Sequence, residues 1–175
     1  MLRVSTTVLR SPATTHEIHV LCKRAREVLL VNGLTSIRPI SRDAYRVVSI
    51  SVSRGYWKGD GFALALIRRD YDAVHYGYVS KDGVKCSCIY SVRKAARADN
   101  ALKAVGMPEV ASRYALCKHT LAALAKLVAL GELSLRDERF RRTLVRCTLI
   151  TYLFVEPIDR IRSASQVIKR ILLDA

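Results

Sequence analysis

Two short motifs constrain the fold of this chain most strongly: Cys86-x-Cys88 and, further along, Cys117-x-His119. Three thiolates and one imidazole are a ligand set that can close a tetrahedron around a structural zinc ion, at distances of about 2.0–2.3 Å. The two pairs must then converge in space although 28 residues separate them. The sequence therefore predicts one zinc ion held by Cys86, Cys88, Cys117 and His119.

The spacing within each pair indicates which local structure can bring its two side chains together. On a strand, residues i and i+2 project to the same side, so Cys86 and Cys88 can bind one ion from a single β-edge. In a helix the same spacing separates side chains by about 200°, so Cys117 and His119 converge only in the loop and first turn before the helix proper. Four protein ligands leave no open coordination position, so we expect a structural site and not a catalytic one.

The hydrophobic pattern predicts an α+β fold: a small antiparallel β-meander with a zinc site, flanked by N- and C-terminal helices. Thr14 begins a capping-box motif, which predicts a first helix over residues 15–31. Ser134 is the expected N-cap of a basic segment, residues 136–146, and residues 148–155 form a β-like run. The predicted strands cover 45–53, 62–67 and 74–79, and the other predicted helices cover 91–105, 116–130 and the chain after Pro157.

The order of these features resembles the SWIM-type zinc finger, in which a Cys-x-Cys pair after a meander is followed by a Cys-x-His pair before an Ala/Leu-rich helix. The resemblance covers residues 44–131, with an N-terminal helical segment, 1–43, and a C-terminal basic helical segment, 132–175, packed as one body. Residues 89–116 form a long interval for that family, and we expect an inserted basic helix there. The resemblance implies DNA binding and protein contacts, as in recombination accessory factors that partner RecA-like paralogues.

The chain carries a formal charge of +15, from 30 lysines and arginines against 15 acids, and the excess is spread over all three thirds of the sequence. Such a charge favours binding to DNA or RNA, because each neutralised phosphate releases counterions. Trp57 lies between basic residues on a predicted hairpin tip, where its ring can stack on an unpaired base or fold back on the core. The candidate nucleic-acid-binding residues are Arg54, Tyr56, Trp57, Lys58, Arg68, Arg69, Arg93, Lys94, Arg97, Arg136, Arg139, Arg141 and Arg142.

Two alternatives to a single zinc site are open at this point. The four ligand-type residues can be ordinary buried thiols with a core histidine. His16, His19 and Cys22 recur at three-residue steps on the first helix and can form a second metal site, although that spacing drifts around a helix. The favoured interpretation keeps one zinc ion and places Cys22 and Cys147 in the core as plain thiols.

The sequence argues against several other classes of protein. It contains no Gly-rich phosphate loop, no Gly-x-Ser-x-Gly elbow and no Gly-x-Gly-x-x-Gly turn, so no enzymatic activity is predicted. Without a secretory leader or an apolar run long enough to span a membrane, we expect a reducing, cytoplasmic compartment and no membrane contact. The scarcity of asparagine and glutamine is typical of proteins from hot-growing organisms.

Together these features predict a zinc-stabilised nucleic-acid-binding protein without catalytic activity. The family resemblance favours a role as an accessory factor in DNA recombination or repair. One alternative is a structural RNA-binding protein associated with a ribosomal subunit. The other is a zinc-based protein-interaction module, in which the charge only assists encounter with a partner.

Overall fold

The structure is a computed structural model that describes residues 6–30, 34–41, 44–51 and 73–173, with side chains described in 7–29 and 78–173. These residues are mostly helical, and a small antiparallel sheet follows the first helix. The helices are α1 (Pro12–Leu30), α2 (Ile89–Ala104), α3 (Lys118–Ala129), α4 (Glu138–Val155), α5 (Ile158–Ser163) and α6 (Ser165–Leu173). The strands are β1 (Leu34–Ser41), β2 (Ala44–Ser51), β3 (Ala73–Ser80) and β4 (Gly83–Cys86).

The sheet has the order β1-β2-β3-β4, and each neighbouring pair is antiparallel. Strands β2 and β3 confirm the strands predicted at 45–53 and 74–79, whereas the strand predicted at 62–67 lies outside the described residues. The sequence analysis did not predict β1, because this segment contains Pro39 and few alternating apolar residues. A proline is compatible with a strand at the end of the sheet order, which is the position of β1.

Helix α1 begins before the predicted capping box. The backbone N–H of Thr14 donates to Oγ of Ser11 at 3.0 Å, so Ser11 caps the helix and Thr14 lies in its first turn. The hydroxyl of Ser11 also bonds to the carboxylate of Glu156, the C-cap residue of α4. This contact ties the beginning of α1 to the end of α4.

Helix α4 overturns the β-like interpretation of residues 148–155. Phe140, Thr143, Cys147 and Ile150 are buried at steps of three and four residues, which is the period of a helix. The β-branched Thr151 is accommodated because its hydroxyl donates to the carbonyl oxygen of Cys147 at 3.0 Å. Packing of this apolar face therefore outweighs the β propensity of the segment.

The ends of the last helices also differ in detail from the prediction. Asp137, and not Ser134, caps α4, since its carboxylate accepts hydrogen bonds from the backbone N–H groups of Arg139 and Phe140. The predicted closing helix is divided into α5 and α6 at Ala164. Its apolar stripe packs on the core as expected, with Ile161, Ile168 and Ile171 buried.

The main apolar core joins the β3–β4 hairpin to α2, α3, α4 and the last two helices. Val79 and Val84 pair across the hairpin and are fully buried in this core. Gly83 begins β4 at a point where a Cβ atom would lie 2.7 Å from the carbonyl oxygen of Arg113. The absent side chain thus lets β4 pack closely against the segment that leads to Cys117.

Candidate metal centre

The four predicted ligands meet where β4, α2 and α3 adjoin. Cys86 ends β4, Cys88 is the N-cap of α2, Cys117 is the N-cap of α3, and His119 lies in the first turn of α3. All four side chains are buried, and their ligand atoms lie within 4.8 Å of one another. Residues far apart in the sequence thus form one compact cluster of sulfur and nitrogen donors.

The distances in this cluster suit a single four-coordinate ion. The Nδ1 atom of His119 lies 3.7 Å from Sγ of Cys86 and 3.8 Å from Sγ of Cys117. A tetrahedral ion with metal–sulfur bonds of about 2.3 Å and metal–nitrogen bonds of about 2.0 Å requires nitrogen and sulfur ligand atoms about 3.5 Å apart, close to the distances seen. The cluster can therefore hold one metal ion, with the imidazole binding through Nδ1.

The structure corrects the predicted position of Cys88. This residue lies beyond the end of β4, and its Sγ accepts a hydrogen bond from the backbone N–H of Ser91 at 3.4 Å. Cys86 and Cys88 therefore converge across a junction between a strand and a helix, and not along one β-edge. The loop and first-turn geometry predicted for Cys117 and His119 is confirmed.

Thr120 fixes the backbone at the second pair of ligands. Its hydroxyl oxygen accepts a hydrogen bond from the backbone N–H of Cys117 at 3.0 Å and lies 3.5 Å from Sγ of that residue. Cys88 and Cys117 each begin a helix, so the positive ends of both helix dipoles lie at the cluster. This environment favours thiolates over thiols.

The three sulfur atoms shift one another's pKa values. Hydrogen bonds from Cys86 and Cys88 hold the pKa of Cys117 well below its usual range. The same hydrogen bonds to Cys117 raise the pKa of Cys86 and raise the pKa of Cys88 to about 11. A bound divalent ion would displace the protons that remain on these thiols.

Lys94, a predicted nucleic-acid-binding residue, is buried beside this cluster. Its exposed fraction is 0%, and its Nζ donates to the carbonyl oxygen of Leu116 at 3.1 Å. The ammonium lies 5.4 Å from the ring centroid of Tyr90 and 5.7 Å from that of Phe154. Burial lowers the pKa of Lys94 to about 8. The prediction that Lys94 contacts a polyanion is wrong, because its side chain does not reach the surface.

Ser91 is a second residue beside the cluster that the sequence analysis did not single out. Its Oγ donates to the carbonyl oxygen of Ala115 at 2.9 Å. Cys88, Ser91 and Lys94 follow one another at steps of three residues, so they share one face of α2. That spacing can be recognised in the sequence. The carbonyl groups that accept the hydrogen bonds lie more than twenty residues away, so the sequence does not indicate these contacts.

Three of the predicted nucleic-acid-binding arginines form ion pairs. Arg139 binds Asp82 with two hydrogen bonds, from Nε at 3.1 Å and from Nη2 at 2.5 Å. Arg141 and Arg142 both bind Glu138, which lies one turn earlier on α4. The pair with Asp82 connects the β3–β4 turn to the first turn of α4, so this basic segment has a structural role.

Other predicted arginines are exposed and have no carboxylate partner within the described part of the chain. Arg93 and Arg97 lie on the outer face of α2, and Arg136 precedes α4; no acidic side chain in the described part of the chain pairs with them. The guanidinium of Arg97 lies 5.5 Å from the ring centroid of Phe154. The remaining candidates, Arg54, Tyr56, Trp57, Lys58, Arg68 and Arg69, lie outside the described residues.

The remaining cysteines differ from each other in exposure. Cys147 is buried in the core as predicted, whereas Cys22 is exposed on α1, which contradicts its predicted core position. In the described ranges, His16, His19 and Cys22 form no second donor cluster. None of the described helices combines the length and the apolar character that crossing a membrane requires.

The sequence was also compared with known proteins. Family models, curated proteins and solved structures yield no match to this chain. The resemblance to the SWIM-type zinc finger therefore stays a prediction. The interpretation of the metal centre depends on the geometry of the four side chains.

Proposed function

We propose that this chain is a zinc-stabilised nucleic-acid-binding protein of the SWIM type, without catalytic activity, that acts as an accessory factor in DNA recombination or repair. The observation that carries the proposal is the buried cluster of Cys86, Cys88, Cys117 and His119 at the beginnings of two helices. An α+β body with one zinc ion would present the outer face of α2 to a polyanion. The five free thiols are consistent with a reducing, cytoplasmic compartment.

The donor set favours zinc over the other common divalent ions. Thiolate and imidazole ligands suit zinc, whereas magnesium and calcium prefer oxygen ligands. The four protein ligands would complete a tetrahedron around the ion, which is the composition of a structural site. Binding would contribute on the order of 10–16 kcal/mol of apparent free energy to the folded state. The ion would therefore hold the ends of β4, α2 and α3 together.

The outer face of α2 is the best-supported nucleic-acid contact within the described residues. Arg93 and Arg97 are exposed one turn apart, and neither pairs with a carboxylate among the side chains that the structure describes. A phosphate that approaches Arg139, Arg141 or Arg142 must instead compete with Asp82 or Glu138. Since the planar guanidinium matches phosphate geometry, two exposed arginines on the helix that begins at a metal ligand make a suitable contact surface.

Two measurements test the proposal. Elemental analysis of the purified chain is expected to find one zinc ion per molecule, and a value near zero would contradict the metal centre. Fluorescence anisotropy with single-stranded DNA, duplex DNA and RNA of matched length is expected to find binding that weakens steeply with salt. Salt-resistant, stoichiometric sedimentation with ribosomal subunits would favour the RNA-binding alternative and contradict the role in repair.

One observation favours a protein-interaction module as the second candidate function. Ile89 and Val92 are 63% and 52% exposed, one turn apart at the beginning of α2 beside Cys88. Exposed apolar side chains next to a fixed metal centre are typical of a protein contact. Tight capture of a purified RecA-like paralogue that is lost in the Ile89→Asp/Val92→Asp variant, together with weak nucleic-acid binding at low salt, would select this function.

A further inference from the structure

Helix α2 makes two inward hydrogen bonds to consecutive carbonyl groups. Oγ of Ser91 donates to the carbonyl oxygen of Ala115 at 2.9 Å, and Nζ of Lys94 donates to that of Leu116 at 3.1 Å. Both donor side chains are buried. The two carbonyl groups belong to the residues immediately before Cys117. These two hydrogen bonds therefore hold the helix against the segment that leads into the second pair of ligands.

The same helix begins at Cys88, a ligand of the first pair. The distance between Cys88 and Cys117 is thus controlled by a rigid helix and two hydrogen bonds, in addition to any bound ion. Side chains outside a metal's ligand shell that fix the ligand-bearing segments typically change metal affinity when they are removed. Ser91 and Lys94 occupy such positions, because they contact the backbone of the ligand-bearing segment and not the ion.

Lys94 also places a positive charge near the metal centre, which a zinc-occupied centre would require. Zinc bound by three thiolates and a neutral imidazole carries a net charge of −1, and an uncompensated buried charge is strongly unfavourable. The cluster is buried, and the hydrogen bond from Nζ of Lys94 to the carbonyl oxygen of Leu116 places the ammonium next to the residue that precedes Cys117. The charges of Glu17, Cys147 and Cys117 act favourably on this ammonium, that of Glu17 most strongly. The ring faces of Tyr90 and Phe154 lie near the same ammonium and further stabilise a cation there.

We propose that Ser91 and Lys94 form a clamp that presets the metal centre, and that Lys94 supplies the buried positive charge that balances the zinc–thiolate complex. This inference rests on the proposed zinc site and assigns positioning roles to two residues that bind no metal. Lys94 is thus a buried counter-charge to the zinc–thiolate complex, although its position in a basic helix is typical of a phosphate-binding residue.

Zinc affinity tests the clamp. Competition with a chromogenic chelator is expected to give a dissociation constant about 10–100-fold weaker for Lys94→Met than for the wild type. Ser91→Ala, which removes only one hydroxyl, is expected to weaken zinc binding to a smaller extent. Lys103→Met is the matched control, because Lys103 is exposed on the same helix and pairs with Glu109. This control is expected to retain the wild-type affinity.

Cobalt substitution separates the counter-charge from packing. A positive charge near the sulfur atoms lowers the energy of their electrons, so its removal should move the thiolate-to-cobalt charge-transfer band to longer wavelength in Lys94→Met. Ser91→Ala retains the charge and should leave this band in place. Where Lys94→Met does not fold, the zinc affinity of Ser91→Ala decides for or against the clamp.

The outcomes distinguish this inference from the proposed function. A wild-type chain that binds no zinc would refute the metal centre itself. A wild-type chain that binds one zinc, together with wild-type zinc affinity in Ser91→Ala, would overturn the clamp and leave the zinc site intact. An unshifted charge-transfer band in folded Lys94→Met would overturn the counter-charge role of Lys94.

Discussion

The Sγ atom of Cys86 lies 3.7 Å from Nδ1 of His119, and this contact joins the end of β4 to the first turn of α3. The two residues belong to opposite halves of the ligand set. A zinc ion between them would act as a covalent connection between the sheet and the helices. The stability of the central region is therefore expected to depend on every ligand.

Replacement of one ligand should remove both the metal and the cooperative unfolding transition. Because the contribution of zinc, on the order of 10–16 kcal/mol, is as large as the total stability of a typical domain, Cys117→Ser is expected to lose its calorimetric transition. Cys22→Ser is the matched control, since Cys22 is exposed on α1, away from the ligand set. A Cys117→Ser chain that melts with the wild-type enthalpy and temperature would contradict the structural role of the ion.

Thiol labelling should follow the exposure of the five cysteines. Of these, only Cys22 is exposed, and burial raises the pKa of Cys147 to about 12, which suppresses its thiolate. The zinc-loaded chain is expected to take one maleimide, at Cys22, and the chelated, denatured chain to take five. Mass spectrometry after proteolysis locates the labels. Rapid labelling of Cys86 or Cys88 in the zinc-loaded chain would speak against coordination of those thiols.

Arginines that pair with a described carboxylate and arginines that do not should differ in their contribution to nucleic-acid binding. The Arg93→Gln/Arg97→Gln variant is expected to weaken binding and to reduce the slope of log affinity against log salt by about two, as for two lost phosphate contacts. The matched control is Arg141→Gln/Arg142→Gln, which removes the same formal charge from arginines that pair with Glu138. Equal losses in the two variants would indicate that total charge, and not the outer face of α2, determines binding.

The ligand set could be predicted from the sequence, because residue type and spacing limit how three thiols and an imidazole meet. The position of Cys88 could not be predicted in the same way. The chain changes from strand to helix between Cys86 and Ile89, and no proline or glycine marks this junction. The pairing of β4 with β3 determines where the strand ends, and the cap of α2 determines where the helix begins. Both depend on contacts outside the motif.

The burial of Lys94 shows a second limit of sequence reasoning. Arg93, Lys94 and Arg97 are all long basic side chains, and from the sequence all three are expected on the exposed face of a helix. The carbonyl group of Leu116, which accepts the hydrogen bond from Lys94, lies 22 residues away. The helical conformation of residues 148–155 has a similar origin, since the buried face of α4 is completed by other elements of the core. Tertiary contacts, which no local pattern encodes, decide both cases.

The burial of Lys94 also predicts a pH dependence of stability. Its pKa in the folded chain, about 8, lies below the usual value of 10.5. Between these pH values the unfolded chain holds more protons than the folded chain, so this residue makes the folded state more stable as pH rises. Relative to Lys94→Met, the wild-type free energy of unfolding should increase by up to about 3 kcal/mol across this window, and by less where a negatively charged zinc–thiolate complex raises the pKa of Lys94 again. Titrations shared by both chains cancel in the difference.

Urea unfolding of the wild type and Lys94→Met, both zinc-loaded, measures this difference as pH is raised from below 8 toward 10.5. Lys103→Met serves as the control, because Glu109 raises the pKa of Lys103 and so gives no gain in stability over the same range. A difference between the wild type and Lys94→Met that stays constant with pH would mean that the folded chain holds the Lys94 proton as tightly as the unfolded chain does. That outcome would contradict the lowered pKa of Lys94 but not its counter-charge role, because a negatively charged zinc–thiolate complex itself favours the charged ammonium.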